Sequence, residues 1–112
     1  MIERRQNCNY SDIETLVNTI LSEENPKNHK LIRVDLSHYQ DDVCMVKVYF
    51  VEEEHVEEQV DQKVVVIEIR PWQRISSSLV EEKAQKFPGY KIQSWNEEIE
   101  DFRRIVILCF ER

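Results

Sequence analysis

Ile13, Leu16, Val17, Ile20 and Leu21 recur at i, i+3, i+4, i+7 and i+8, which places five apolar side chains on one face of an α-helix. Ser11-Asp12-Ile13-Glu14 opens that run with the Ser-x-x-Glu spacing of a capping box. Pro26 predicts its end, with Asn25 held extended before the ring. The period then drops to two. Ile32, Val34 and Leu36 alternate with Arg33, Asp35 and Ser37, as in a half-buried strand. Residues 38–42 are short and polar, suited to a hairpin turn, and residues 43–51 follow as a strand with Cys44, Val46, Val48 and Phe50 on one side. Residues 64–70 read as another strand, which Pro71 ends because its nitrogen cannot donate to a ladder.

A second Ser-x-x-Glu, Ser78-Leu79-Val80-Glu81, predicts a short helix that buries Leu79, Val80, Ala84 and Phe87 and closes at Pro88-Gly89. Residues 90–95 read as a strand and 96–101 as a polar turn. Residues 104–110 are almost continuously apolar, which predicts an interior strand covered on both sides. The predicted order is α-β-β-β-α-β-β. Consecutive strands with only two helices indicate an α+β fold: a mainly antiparallel five-stranded sheet with both helices packed on one face. Residues 1–112 are read as a single domain, consistent with a mass of 13.5 kDa.

Charge changes the picture. The chain holds 22 acids and 15 bases, a net charge of −7 that argues against a broad nucleic-acid-binding face. Glu52, Glu53, Glu54, Glu57, Glu58 and Asp61 are six of those acids, and no lysine or arginine lies among them; the other 16 face 15 bases. Nearly all the net charge therefore falls in one ten-residue connection between predicted strands. Such a tip keeps a chain soluble and discourages strand edges from pairing. It also presents a dense negative patch to a basic protein surface. Val56 and Val60 leave both a loop and a short helical turn open for this segment.

Candidate chemistry is sparse. Gly89 is the sole glycine, which excludes P-loop and dinucleotide-binding turns, and no Cys-x-x-Cys or His-Glu-x-x-His pattern offers a metal or cofactor site. Arg70, Arg74, Lys83, Lys86 and Lys91 fall in one stretch with Trp72 and Tyr90, the residue types that hold single-stranded nucleic acid, although Glu81 and Glu82 interrupt it. No apolar run follows Arg4-Arg5, so no secretory signal is expected. The odd count of three cysteines, Cys8, Cys44 and Cys109, suits a reducing cytoplasm.

Helix, three strands, helix and strand is also an element order that resembles the PD-(D/E)xK nuclease-like superfamily. The resemblance implies a divalent metal held by an acid on the second strand and an acid-x-lysine on the third. Asp41 or Asp42 stands at the first position and Glu68-Ile69-Arg70 at the second. Arg70 departs from the pattern, since a guanidinium stays protonated where a lysine titrates. The order is similar, too, to that of acidic chaperones of secreted effectors, without their final helix. The residues favour binding over catalysis: a cytoplasmic regulatory or adaptor module that presents its acidic hairpin connection to a basic partner. The apolar strands and two tryptophans add the expectation of a homodimer.

Overall fold

In the computed structural model, which describes residues 1–52, 61–70, 72–100 and 103–112, two strands organise everything else. The alternating strand β3 (Val43–Glu52) buries Cys44, Val46, Val48 and Phe50 on one face and lies between β1 (Ile2–Asn9) and β2 (His29–Gln40). The apolar strand β6 (Arg103–Glu111) is buried on both faces and lies between β4 (Gln62–Ile69) and β5 (Lys91–Glu100). All four pairings are antiparallel. The two helices are α1 (Ile13–Glu24), between β1 and β2, and α2 (Ser77–Ala84), between β4 and β5.

The fold is α+β, with six strands in two three-stranded sheets rather than five in one. β1 and β2 occupy both flanks of β3, so β4 has no place beside it and opens a second sheet with β6. Residues 52–61 therefore connect the centre of one sheet to an edge of the other and are not a hairpin. Residues 53–60 lie outside the described residues.

One core fills the space between the sheets: Leu31, Val34, Leu36 and the buried face of β3 meet Val64, Ile105, Ile107 and Cys109. Ile13, Val17, Ile20 and Leu21 of α1 complete it, packing mainly beside β4. A second cluster lies on the outer face of the β4-β6-β5 sheet, where Leu79, Val80 and Ala84 of α2, with Ile75 and Phe87, cover Val65, Ile67, Val106, Leu108 and Phe110. The helices thus serve opposite faces of that sheet, which explains why β6 is apolar at every position from Ile105 to Phe110. No helix among the described residues is long and apolar enough to cross a membrane.

Side chains close the sheet edges. Asn18 of α1 donates to the Val64 carbonyl at 2.8 Å and accepts from the Val64 N–H at 2.9 Å, while Glu14 accepts from the Val66 N–H at 2.9 Å. Gln62 bonds both backbone groups of Leu31, accepting at 2.9 Å and donating at 3.1 Å, and Asn96 donates to the Val34 carbonyl at 2.6 Å. Each amide carries the donor and acceptor of a peptide group, so it stands in for a missing strand.

Several local features depart from the sequence reading. Glu14 reaches β4 instead of closing a capping box; Tyr10–Asp12 form a 3₁₀ turn, and α1 starts at Ile13 with no side-chain cap. The cap of α2 is Ser76, whose hydroxyl accepts from the Leu79 N–H at 3.2 Å, two residues before the predicted serine. Asn25 is helical (φ −57°, ψ −43°), because a 3₁₀ turn carries Pro26 and left-handed Asn28 (φ 59°) makes the reversal. A bulge at Ile32 shifts the register of β2, so Leu31 rather than Ile32 enters the core. Residues 96–100 continue β5 instead of turning.

Replacing Asn18 with alanine leaves both Val64 backbone groups without a protein partner and is expected to lower unfolding stability by about 1–2 kcal/mol. Urea unfolding measures it, and an unchanged midpoint would show that the amide bonds add nothing to the β4 edge.

Candidate functional site

The acidic connection is described at its two ends. Glu52 is exposed at the end of β3, opposite His29 in register. Asp61 is half-buried: its carboxylate accepts the Tyr90 hydroxyl hydrogen bond, and its carbonyl accepts from the Arg112 N–H at 3.0 Å. The bond to Asp61 pushes the Tyr90 hydroxyl above its ordinary pKa. Asp61 is thus a foot of the connection, engaged by the fold. Glu53, Glu54, Glu57 and Glu58, with His55, lie outside the described residues.

Beside the first foot is a network that the sequence reading missed. Glu24, at the last turn of α1, is buried. It contacts His29 Nδ1 at 2.5 Å, Arg4 at 2.8 Å and Lys27 Nζ at 3.7 Å. The hydrogen bond to His29, followed by the one to Arg4, holds the Glu24 carboxyl below its ordinary range despite the opposing effect of burial. The ends of β1, α1 and β2 are joined here. Lys27 and His29, three and five residues after Glu24, were the available signal; Arg4 is twenty residues away.

The second candidate cluster lies at the ends of β2, β4 and β6. Asp41 forms the β2–β3 turn with φ 46°, a left-handed conformation that aspartate tolerates better than most residues. Asp42 and Glu68 are brought together around one guanidinium: Arg103 contacts Asp42 at 2.6 Å and Glu68 at 3.3 Å. Arg103 also stacks over the Tyr10 ring at 4.5 Å. Asn9, Tyr10, Ser11, Asp42, Glu68 and Arg103 line an open recess of about 370 Å³. Arg70 does not join them; it stacks over Trp72 at 5.5 Å. The carboxylates face an internal cation, and no group of three or more His, Cys, Asp or Glu among the described residues is placed to hold a metal. Asp42 lies in the turn before β3 and Glu68 on β4, and these strands belong to different sheets.

The basic and aromatic stretch does not form one face. Tyr90 sits with Asp61 at the start of β4, whereas Trp72 sits with Arg70 just beyond its end. The eight-residue strand separates them by about 25 Å. Trp72, Trp95 and Ile99 are exposed, the latter two on the same edge strand, β5.

Glu24 makes acid stability measurable at one residue. Its folded-state pKa is depressed, so its contribution is full above the unfolded glutamate pKa near 4.3 and is lost as pH falls through the lower folded value. Glu24→Gln is expected to cost about 2 kcal/mol at pH 7 and to flatten the acid limb of stability against pH. Urea unfolding from pH 7 to 3 tests this, and an unaltered acid limb in the variant would remove the assignment. Comparison with protein-family models, curated proteins and solved structures gives no match for this chain.

Proposed function

We propose that the protein is a non-enzymatic binding module that engages a basic protein surface through Glu52, Glu53, Glu54, Glu57 and Glu58, with Asp61 as a foot of the segment. The charge distribution carries this reading: residues 52–61 hold six acids and no lysine or arginine, while the remaining 16 acids meet 15 bases. Concentrated charge of one sign speeds encounter with an oppositely charged partner and selects its orientation. Basic residues near the described feet have other acids to contact: Arg4 and Lys27 meet Glu24, and Lys30 meets Glu111 at 3.4 Å. Binding is favoured over metal-dependent nuclease chemistry because Arg103 already stands between Asp42 and Glu68. A reducing cytoplasm suits three cysteines that are outside any disulfide.

Affinity capture from a cytoplasmic extract at low and high salt tests the reading. A basic protein is expected to be retained at low salt and released at high salt. Changing Glu52, Glu53, Glu54, Glu57 and Glu58 together to glutamine should weaken that interaction at least about tenfold. A partner held equally well by the substituted protein would reduce the segment to a solubility device.

Self-association belongs to the same proposal. Ile92, Trp95 and Ile99 are exposed on β5, Trp95 beside Val80 of α2 and Ile99 beyond the Glu97–Arg104 pair, and Trp72 is 74% exposed. Large exposed apolar side chains along one edge strand favour burial against another chain, and a two-fold dimer is the simplest form. Sedimentation equilibrium at micromolar concentration is expected to give a dimer that Trp95→Lys dissociates; a monomeric parent protein would refute it.

A further inference from the structure

Cys8 on β1 and Cys44 on β3 are direct partners in antiparallel register and share the inner face of their sheet. Two steps along the same register, the Tyr10 N–H donates to the Asp42 carbonyl at 3.0 Å. Hydrogen-bonded pairs alternate, so Cys8 and Cys44 occupy one, with Cα atoms about 5.5 Å apart. That separation lies inside the range of about 4.4–6.8 Å that a disulfide spans. Neither cysteine is in a disulfide, and the two are within hydrogen-bonding reach of each other. Cys44 is fully buried on the central strand, whereas Cys8 is half-buried on an edge strand and is the sulfur a solute reaches first. Cys109 belongs to the other sheet, where burial pushes its thiol up to about 12.

We propose that Cys8 and Cys44 form a reversible oxidation site at which a hydroperoxide closes a disulfide between β1 and β3. The Cys8 thiolate attacks the peroxide O–O bond and takes one oxygen as a sulfenic acid. The other oxygen leaves with the electron pair of the broken bond and gains a proton, departing as water or alcohol. The Cys44 sulfur then attacks the Cys8 sulfur, the S–S bond forms, and the sulfenic hydroxyl leaves with the Cys44 proton as water. Two thiols lose two electrons in total, and the peroxide takes both.

The geometry also gives the site its reversibility. Directly opposed Cβ atoms lie about 4.5–5.5 Å apart, somewhat more than the 3.5–4.5 Å of a relaxed disulfide, so closure draws the strands together and leaves a bond that a dithiol reopens readily. Burial pushes the Cys8 thiol up, so the rate of oxidation climbs with pH past the ordinary thiol range. Oxidation would turn β1 from a strand held by its ladder and by Arg4 into one tied covalently to the centre of its sheet.

The test treats the parent protein with equimolar hydrogen peroxide. Intact mass is expected to fall by two hydrogens, and thiols titrated under denaturing conditions to drop from three to one. A proteolytic peptide pair should link Cys8 to Cys44, and dithiothreitol should restore all three thiols. In Cys44→Ser the Cys8 sulfenic acid has no partner, so dimedone labelling should rise several-fold over the parent. Three thiols persisting after prolonged exposure would overturn the proposal. So would Cys8 sulfinic acid or intermolecular Cys8 disulfides with Cys44 still free.

Discussion

A three-stranded sheet has two edges, and each carries backbone groups that need a partner once water is excluded. The two sheets here meet their neighbours through side chains that imitate a strand. Gln62 bonds both groups of Leu31 on β2, Asn96 reaches Val34 on the same strand, and Asn18 and Glu14 bond Val64 and Val66 on β4. The apolar core between the sheets depends on these contacts, because they hold α1 against β4, and β4 and β5 against β2, close enough to shut out water. A helix can then complete a sandwich that has too few strands to close on itself.

What was legible in the sequence follows from where each residue's partner lies. β3 declares itself because one of its faces is buried, and β6 because both are. β1 is hidden: its inward-facing positions are Ile2, Arg4, Gln6 and Cys8, and the charge of Arg4 is answered by Glu24, twenty residues along the chain. The second half of β5 looks like a turn because Asn96 serves a backbone group on β2 in place of filling a core. Of the acids singled out, Asp42 and Glu68 do converge, yet the cation between them comes from Arg103, sixty-one residues after Asp42. Helix caps failed for a related reason, since Glu14 satisfies a distant strand instead of its own helix end.

The same distribution of partners explains the charge. In the folded body, Glu23, Glu24, Asp35, Asp42, Glu68, Glu97 and Glu111 each meet a cation. Most of these pairs are exposed and add little stability singly. Acids and bases outside residues 52–61 are nearly matched in number, 16 against 15, which leaves the net charge of the chain to the segment joining its two sheets. Glu24 differs from the others because burial and contacts to Arg4, Lys27 and His29 fix its position and with it the junction of β1, α1 and β2.

The place of β6 in the chain bears on how the protein is made. The β1-β3-β2 sheet has all its strands once Glu52 has emerged from the ribosome, but β4 and β5 share no pairing until β6 follows, and β6 runs to Glu111. At about 5–20 residues per second, synthesis of residues 62–111 takes roughly 3–10 s. During it the nascent β4 already has Asn18 and Glu14 available for one edge, while its other edge, rich in valine, waits for a partner. Translation speed across residues 62–111 thus sets how long an adhesive strand is exposed to other nascent chains.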